Sequence, residues 1–330
     1  MKKLVCIVVV FCGGLLALSP KVVLDSKDEV SALKLLQSKT QSTPKLYVST
    51  NNGVVDIYDF NTILAKKAPK PQQSIKLPSY KDLFNNVLER RIFHTDVNSN
   101  GEALIVALNA NATRDLFLYK NGKSEIVIED LDVAKALWID ENTFAVGFVG
   151  NEVWIVDAKS KKTLHKRKIA IYRFSDMVLN RADNLLYTTG ESGAIYALDS
   201  KNVNLVAKFD GVHKDNIFAL ALAKNVLVSG GMDKRLGIYE IKSQGKVAEQ
   251  KEVLRSNFLI YSVAISEDSR YIAYMSDESG TITVLKGKDE VAKLEHIDAL
   301  PNSIIFYKHY IIVGTDSKKI YLFDIKNALQ

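Results

Sequence analysis

Residues 211–241 read GVHKDNIFALALAKNVLVSGGMDKRLGIYEI. Three apolar runs, IFALALA, VLVSG and RLGIYEI, are separated by the short polar turns KN and MDK. Their two-residue alternation and aromatic and β-branched content describe strands, not helices. The third run ends on an aromatic residue and an acid, Tyr239-Glu240, and this ending recurs along the chain. The equivalent stretches are GVVDIYD, RDLFLYK, NEVWIVD, GAIYALD, KRLGIYE, GTITVLK and KKIYLFD. Their last residues are Asp59, Lys120, Asp157, Asp199, Glu240, Lys286 and Asp324, so successive ends lie 61, 37, 42, 41, 46 and 38 residues apart.

A period a little over forty residues, with several short strands per period, matches one four-stranded blade per unit. Seven third strands therefore predict an all-β fold, a seven-bladed β-propeller. The first-to-second strand turns NSNGE, DENT, NRADN and SEDSR are rich in residues that cap turns or accept left-handed backbone. Asn121-Gly122, between LFLYK and SEIVI, is a two-residue hairpin signal. The last unit stops after KIYLFDI with no outer strand to follow. Val22–Asp25 (VVLD) is expected to supply that strand and SALKLLQ the inner strand of blade one, removing open sheet edges. ALKLLQ is also compatible with a helix.

The irregular 61-residue interval holds a Pro- and Lys-containing insertion at 60–91. Pro69, Pro71 and Pro78 exclude central-strand structure from much of it. SIKLP is expected to form the outer strand of blade one, and YKDLFNNVLERR a helical turn. Such insertions emerge on a face and often carry recognition.

The unit at 211–241 resembles a WD repeat. His213 holds the histidine position of its Gly-His pair, although Val212 separates it from Gly211; Ser229 lies on the second strand, Asp233 in the tight turn, and Tyr239-Glu240 where Trp-Asp would stand. The resemblance implies a hydrogen-bonded structural brace of His213, Ser229, Asp233 and Tyr239. The other units are degenerate, and only the fifth keeps the histidine.

The chain opens MKKLVCIVVVFCGGLLALSP, two lysines before an apolar run from Leu4 to Leu18. This reads as a bacterial secretory signal over residues 1–19, cleaved or retained as an N-terminal anchor, with the propeller over 20–330. A periplasmic location follows, with peripheral or N-terminal membrane association also open. Cutting after Ala17 leaves Leu15 at the −3 position, and cutting after Ser19 leaves Pro20 next. Cys12 would suit a lipoprotein, but Phe11 before it is bulky. Cys6 and Cys12 are the only cysteines, so the segment after residue 19 offers no disulfide, thiol nucleophile or cysteine metal ligand.

With 44 Lys+Arg against 38 Asp+Glu the charge is +6, scattered through turns without a basic stripe interleaved with aromatics, which disfavours nucleic acid. The densest run, KSKKTLHKRK (Lys159 to Lys168), reads either as a landing site for an anionic partner or as an edge strand guarded by lysines. No two of His94, His165, His213, His296 and His309 stand at metal-ligand spacing, and HExxH, GxSxG and P-loop patterns are absent. No metal or cofactor is expected. Asp277 and Glu278 are the carboxylates a propeller hydrolase could recruit; they read first as turn residues.

Phe93, Phe174, Phe218 and Tyr261 align in the first strands, as inter-blade packing or as an aromatic rim. Arg90, Arg91, Tyr172, Arg173, Lys214, Met232 and Lys234 fall in loops expected to converge on one face. Arginine, tyrosine and methionine there suit a protein contact. Taken whole, the short signal, the single domain and the lysine-rich degenerate repeats resemble the accessory protein of periplasmic nitrate reductase clusters, the NapL type. That resemblance implies a non-catalytic helper whose partner is periplasmic nitrate reductase or its maturation machinery. With no CxxCH and no iron–sulfur cysteines, the chain itself has no means of carrying electrons. An outer-membrane assembly scaffold lipoprotein and a propeller hydrolase are the alternatives.

Overall fold

In the computed structural model the described residues are 16–37, 43–65, 68–242 and 247–329, with no side-chain detail for 247–251. Strands form seven sheets of four or more, plus one two-stranded hairpin. The inner strands are Val30–Leu36, Ile92–Val97, Val133–Trp138, Phe174–Asn180, Ile217–Ala223, Val263–Ile265 and Pro301–Tyr307. Each packs against the next, and the last returns to the first, closing a ring around a central channel. The fold is the expected seven-bladed β-propeller. Within each blade the strands run antiparallel from the channel outward. The links between blades and the second-to-third strand turns therefore share one face, called upper below.

The core lies between blades rather than within one. The cluster around Trp138 and Phe144, for example, draws Leu104, Leu116 and Ile128 from blade two and Val133, Val146 and Val156 from blade three. Trp138 and Phe144 meet edge to face with centroids 5.6 Å apart. Both faces of a blade are thus covered, which is why its middle strands are almost continuously apolar. The Asn121-Gly122 turn has the expected form: φ is +52° and +77°, and glycine takes the second value without the crowding a Cβ would bring.

Six of the seven inner strands shift register at the same place, leaving Ser31, Phe93, Ala134, Ser175, Phe218 and Asn302 as unpaired bulge residues. A bulge re-aims its side chain. Here five of the six, with Tyr261 of blade six, line the upper channel. The alignment of Phe174 with Phe93, Phe218 and Tyr261 is therefore corrected by one residue. Phe174 pairs with Gly190 just as Ile92 pairs with Ala107 and Ile217 with Gly231. It is buried against Gly147 of blade three, and Ser175 takes the channel position.

Blade seven closes as expected. Val22–Asp25 pairs antiparallel with Lys319–Asp324, and Val30–Leu36 is the inner strand of blade one, a strand and not a helix. Leu24 is buried with Ile312, Ile320 and Leu322. Lys21 Nζ lies 2.8 Å from Asp324. Gln73–Lys76 is the outer strand of blade one, as SIKLP suggested. The helical expectation fails at 80–91 and a helix appears earlier, at Phe60–Ala65. Asp59 Oδ1 caps that helix by accepting from Thr62 N at 2.9 Å, and Phe60 and Ile63 are fully buried across the blade one–seven seam. Residues 80–88 instead form a hairpin, Tyr80–Lys81 against Val87–Leu88. Asp82 Oδ1 accepts from the backbone of Phe84 and Asn86, and Asn85 has φ +62°, so the turn cannot continue as a helix.

Leu16–Leu18 adds a fifth strand, parallel to the outer strand Asp289–Leu294 of blade six, and Leu18 O accepts from Glu295 N at 3.0 Å. Residues 1–15, with Cys6 and Cys12, fall outside the described residues, so only the last four positions of the segment read as a signal are seen, three of them in this strand. Among the described residues no helix is long and apolar enough to cross a membrane.

Removing residues through Leu36 should abolish the cooperative thermal transition, since blades one and seven each lose a strand. Leu24→Ala should cost about 2–5 kcal/mol in denaturant melts, the usual loss for a buried leucine. A truncated chain melting like the full one would contradict this closure.

Candidate functional site: the upper face and channel mouth

Blade five carries the brace. His213 sits in the link from blade four, Asp233 in the turn after Val226–Gly231, and Ser229 and Tyr239 on the strands between. His213 Nδ1 is 2.9 Å from Asp233 Oδ1, and His213 Nε2 is 2.7 Å from Ser229 Oγ. Ser229 Oγ is 3.4 Å from the Tyr239 hydroxyl. Asp233 also accepts from Lys214 N at 2.9 Å and lies 3.5 Å from Arg235 Nε. A Cβ at Gly237 would come within 2.6 Å of Ser229 Oγ and 2.9 Å of Tyr239, so the brace needs glycine there. Burial holds the His213 imidazole below its ordinary pKa, and the Asp233 contact offsets only part of that. All four brace groups are at least largely buried, and apart from the contacts of Asp233 with Lys214 N and Arg235 their hydrogen bonds are with one another.

Six of the seven candidate contact residues lie on the upper face with exposed side chains: Arg91, Tyr172, Arg173, Lys214, Met232 and Lys234. Arg90 does not. It is 8% exposed, donating from Nε to Pro78 O at 2.9 Å and from Nη1 to Leu108 O at 2.7 Å and Asp115 Oδ2 at 3.2 Å. Its guanidinium also lies 5.2 Å from the Tyr80 ring centroid. Arg90 thus fastens the base of the 80–88 hairpin to blade two. Lys234 Nζ donates to Asn257 O at 3.1 Å, and Asp277 Oδ1 accepts from Ser279 N and Thr281 N at 3.0 Å, a turn cap. Glu278 is exposed in the same turn.

One feature was not read from the sequence. Every exposed large apolar side chain among the described residues lies on an outer strand or on the upper face. The upper set is Leu83, Phe84, Val87, Leu88, Leu131, Ile171, Tyr172, Met232, Tyr261 and Leu300. Among the described residues the lower face, built from first-to-second and third-to-fourth strand turns, has none. Each residue alone is an ordinary loop position; only the alternation of strand direction brings them to one side. The lysine run 159–168 falls instead on the fully exposed outer strand of blade three and its turn, where Lys161 meets Glu125 at 2.6 Å.

Beneath this face the upper channel is a cavity of about 280 Å³. Its mouth carries Phe93 and the stacked pair Phe218–Tyr261, centroids 4.8 Å apart. Below them Lys135 Nζ meets Asp176 Oδ1 at 2.5 Å, while Asp176 Oδ2 accepts from Leu220 N of blade five at 2.7 Å. Lys34 meets Asp96 at 2.6 Å, and Asp96 Oδ2 accepts from Trp138 N of blade three at 2.8 Å. Each aspartate therefore ties its inner strand to the next blade's. Burial alone would raise the Asp96 pKa, but the charge and hydrogen bond of Lys34, with His94 and the Trp138 N–H, together hold the carboxyl below its ordinary value. Burial, with Lys135 adding, pushes His94 down to about 3, and its Nε2 has no hydrogen-bond partner among the described residues. Among those residues no three or more His, Cys, Asp or Glu side chains gather as a metal site.

Comparison with solved structures places the chain beside the Cps50 (Swd1) β-propeller domain of Myceliophteria thermophila, with a TM-score of 0.74 and 13% identity over 92% of this chain and 98% of that one. The fold is that of a WD-type propeller. At that identity the likeness concerns architecture alone. No family model matches the chain, and no curated protein does either.

Asp233→Ala should cost about 1–3 kcal/mol, because His213 keeps its burial and loses a partner; urea melts measure it. The two buried histidines fix a pH dependence. Both have folded pKa values below the unfolded value of about 6.5, so the unfolded chain binds more protons at low pH. Their contribution is complete above about pH 6.5 and is lost as pH falls through that value, down to about 3 for His94. His94→Gln should flatten the slope of stability against pH between 6 and 4, as followed by thermal melts.

Proposed function

We propose that this chain is a non-catalytic protein-binding propeller that works through its upper face. The carrying observation is the confinement of exposed loop apolar side chains to that face, beside Arg91, Arg173, Lys214 and Lys234. Large exposed apolar groups among arginines are what desolvated interface centres are built from. Among the described residues the lower face exposes arginines such as Arg270 but no large apolar side chain beside them.

The signal-like N-terminus supports export to the periplasm. There the chain serves periplasmic nitrate reductase or its maturation machinery; the overall resemblance described above is the support for that client. The sequence has no CxxCH and no iron–sulfur cysteines, which supports a role as an accessory to the reductase's assembly or activity and not as an electron carrier itself.

Nitrate reduction in cells lacking the protein should fall several-fold under limiting molybdenum, while purified reductase keeps its turnover without it. Whole-cell nitrate consumption and a reconstituted assay measure the two. Normal nitrate reduction in the deletion strain would remove the reductase as client. A cross-linked partner mapped only to the lower face would overturn the binding surface.

A further inference from the structure

The upper face is not uniform, and one sector of it combines three unusual features. The first is the 80–88 hairpin. Leu83 and Phe84 at its tip are 89% and 84% exposed, yet the tip is ordered. Asp82 Oδ1 accepts from Phe84 N at 2.8 Å and Asn86 N at 2.9 Å, Asp82 Oδ2 accepts from Asn86 Nδ2 at 2.9 Å, and Arg90 pins the base. A held apolar tip has already met the ordering cost that binding would otherwise impose.

The second feature is a group of arginines short of carboxylates. Arg91 and Arg114 both lie over the Phe93 ring, 5.2 and 4.0 Å from its centroid. Arg114 has Asp132 only at 3.8 Å. Arg91 and Arg173 make no ion pair among the described residues. Glu191 accepts from the backbone N of Arg173 at 3.1 Å and makes no ion pair with its guanidinium among the described residues. Burial lowers the Arg114 pKa, and Arg173 and Arg91 lower it further against the pull of Asp132, which places both of those guanidinium groups within the field of Arg114. Like charges gathered on one platform are relieved by an incoming anion. The third feature is the apolar flank on the far side: Ile171, 88% exposed, and Tyr172.

Resting on the reading above, we propose that the sector from the hairpin to the Ile171–Arg173 link docks a protein segment carrying carboxylates next to aromatic or aliphatic side chains. The carboxylates pair with Arg91, Arg114 and Arg173. The apolar side chains cover Leu83, Phe84 and Ile171. A lipid surface fits less well: the hairpin carries only Lys81, beside Asp82, where an interfacial tip draws on flanking basic residues.

A fluorescein-labelled dodecapeptide of Glu-Glu-Phe repeats tests this by anisotropy against the full chain, beside its Gln-Gln-Phe and Glu-Glu-Ser counterparts. The Glu-Glu-Phe peptide should bind tightest and weaken with salt. L83S/F84S and R91Q/R173Q should each weaken it about tenfold or more, with unchanged melting because all four side chains are exposed. Equal binding of the three peptides, or no binding of any, overturns the proposal. So does sedimentation of the chain with phosphatidylglycerol vesicles in place of peptide binding. Loss of binding in M232E/L300E but not in R91Q/R173Q overturns this sector while leaving an upper-face binding role intact.

Discussion

Everything in this molecule depends on a four-residue strand reaching its partner almost three hundred residues away. Until Val22–Asp25 lies on Lys319–Asp324, blade seven has no outer strand and Leu24 no place to bury. The inner strand Val30–Leu36 is continuous with it and seats against Pro301–Tyr307, so one short segment completes two neighbouring blades. The Phe60–Ala65 helix adds to the same seam, its Phe60 ring 5.0 Å from Tyr307 and 5.9 Å from Tyr310. Because the hydrophobic clusters lie between blades, an unclosed ring would expose the apolar flanks of blades one and seven together.

A closed ring frees the loops from supporting the fold. The structural polar work is done inside: Asp96 and Asp176 tie inner strands together, and His213 with Asp233 fastens one link to one turn. Five of the six repeated bulges turn a side chain toward the channel mouth. The bulge positions at the mouth are left to differ, and they do: serine and asparagine rim blades one and seven, phenylalanine blades two and five. Recognition can therefore vary by sector without disturbing the core, and the basic, apolar sector of blades one to four is the most differentiated.

The parts of this architecture set by local alternation were legible in the sequence. Third strands ending in YD, VD or LD, the Asn121-Gly122 hairpin and the leftover VVLD strand each follow from residue-scale preferences. Features created by pairing were not. The bulge that moves Phe174 into an inter-blade slot and Ser175 into the channel has no compositional mark, since RFSDMV and IFHTDV look alike until partnered. Asp96 and Asp176 carry no mark in the sequence; their acceptors matter only because the next blade presents an N–H at Trp138 and at Leu220. Asp82 in YKDLFNN was read with the helix-compatible residues around it, although an Asp followed by Asn-Asn is turn chemistry. Arg90 and Arg91 are adjacent and chemically identical, and only burial separates a fastening from an exposed cation.

The closure also sets an order of events. The strand that completes blade seven is made almost three hundred residues before its partner at Lys319–Asp324. At about 5–20 residues per second of synthesis, the early segment waits roughly 15–60 s before its mate exists. Throughout that time its hydrogen-bonding edge and Leu24 are available to any other strand. Such distant pairing belongs to the slow end of folding. The parallel pairing of Leu16–Leu18 with Asp289–Leu294 offers the waiting segment a partner about thirty residues earlier in the chain than Lys319, a foothold one blade away from its destination.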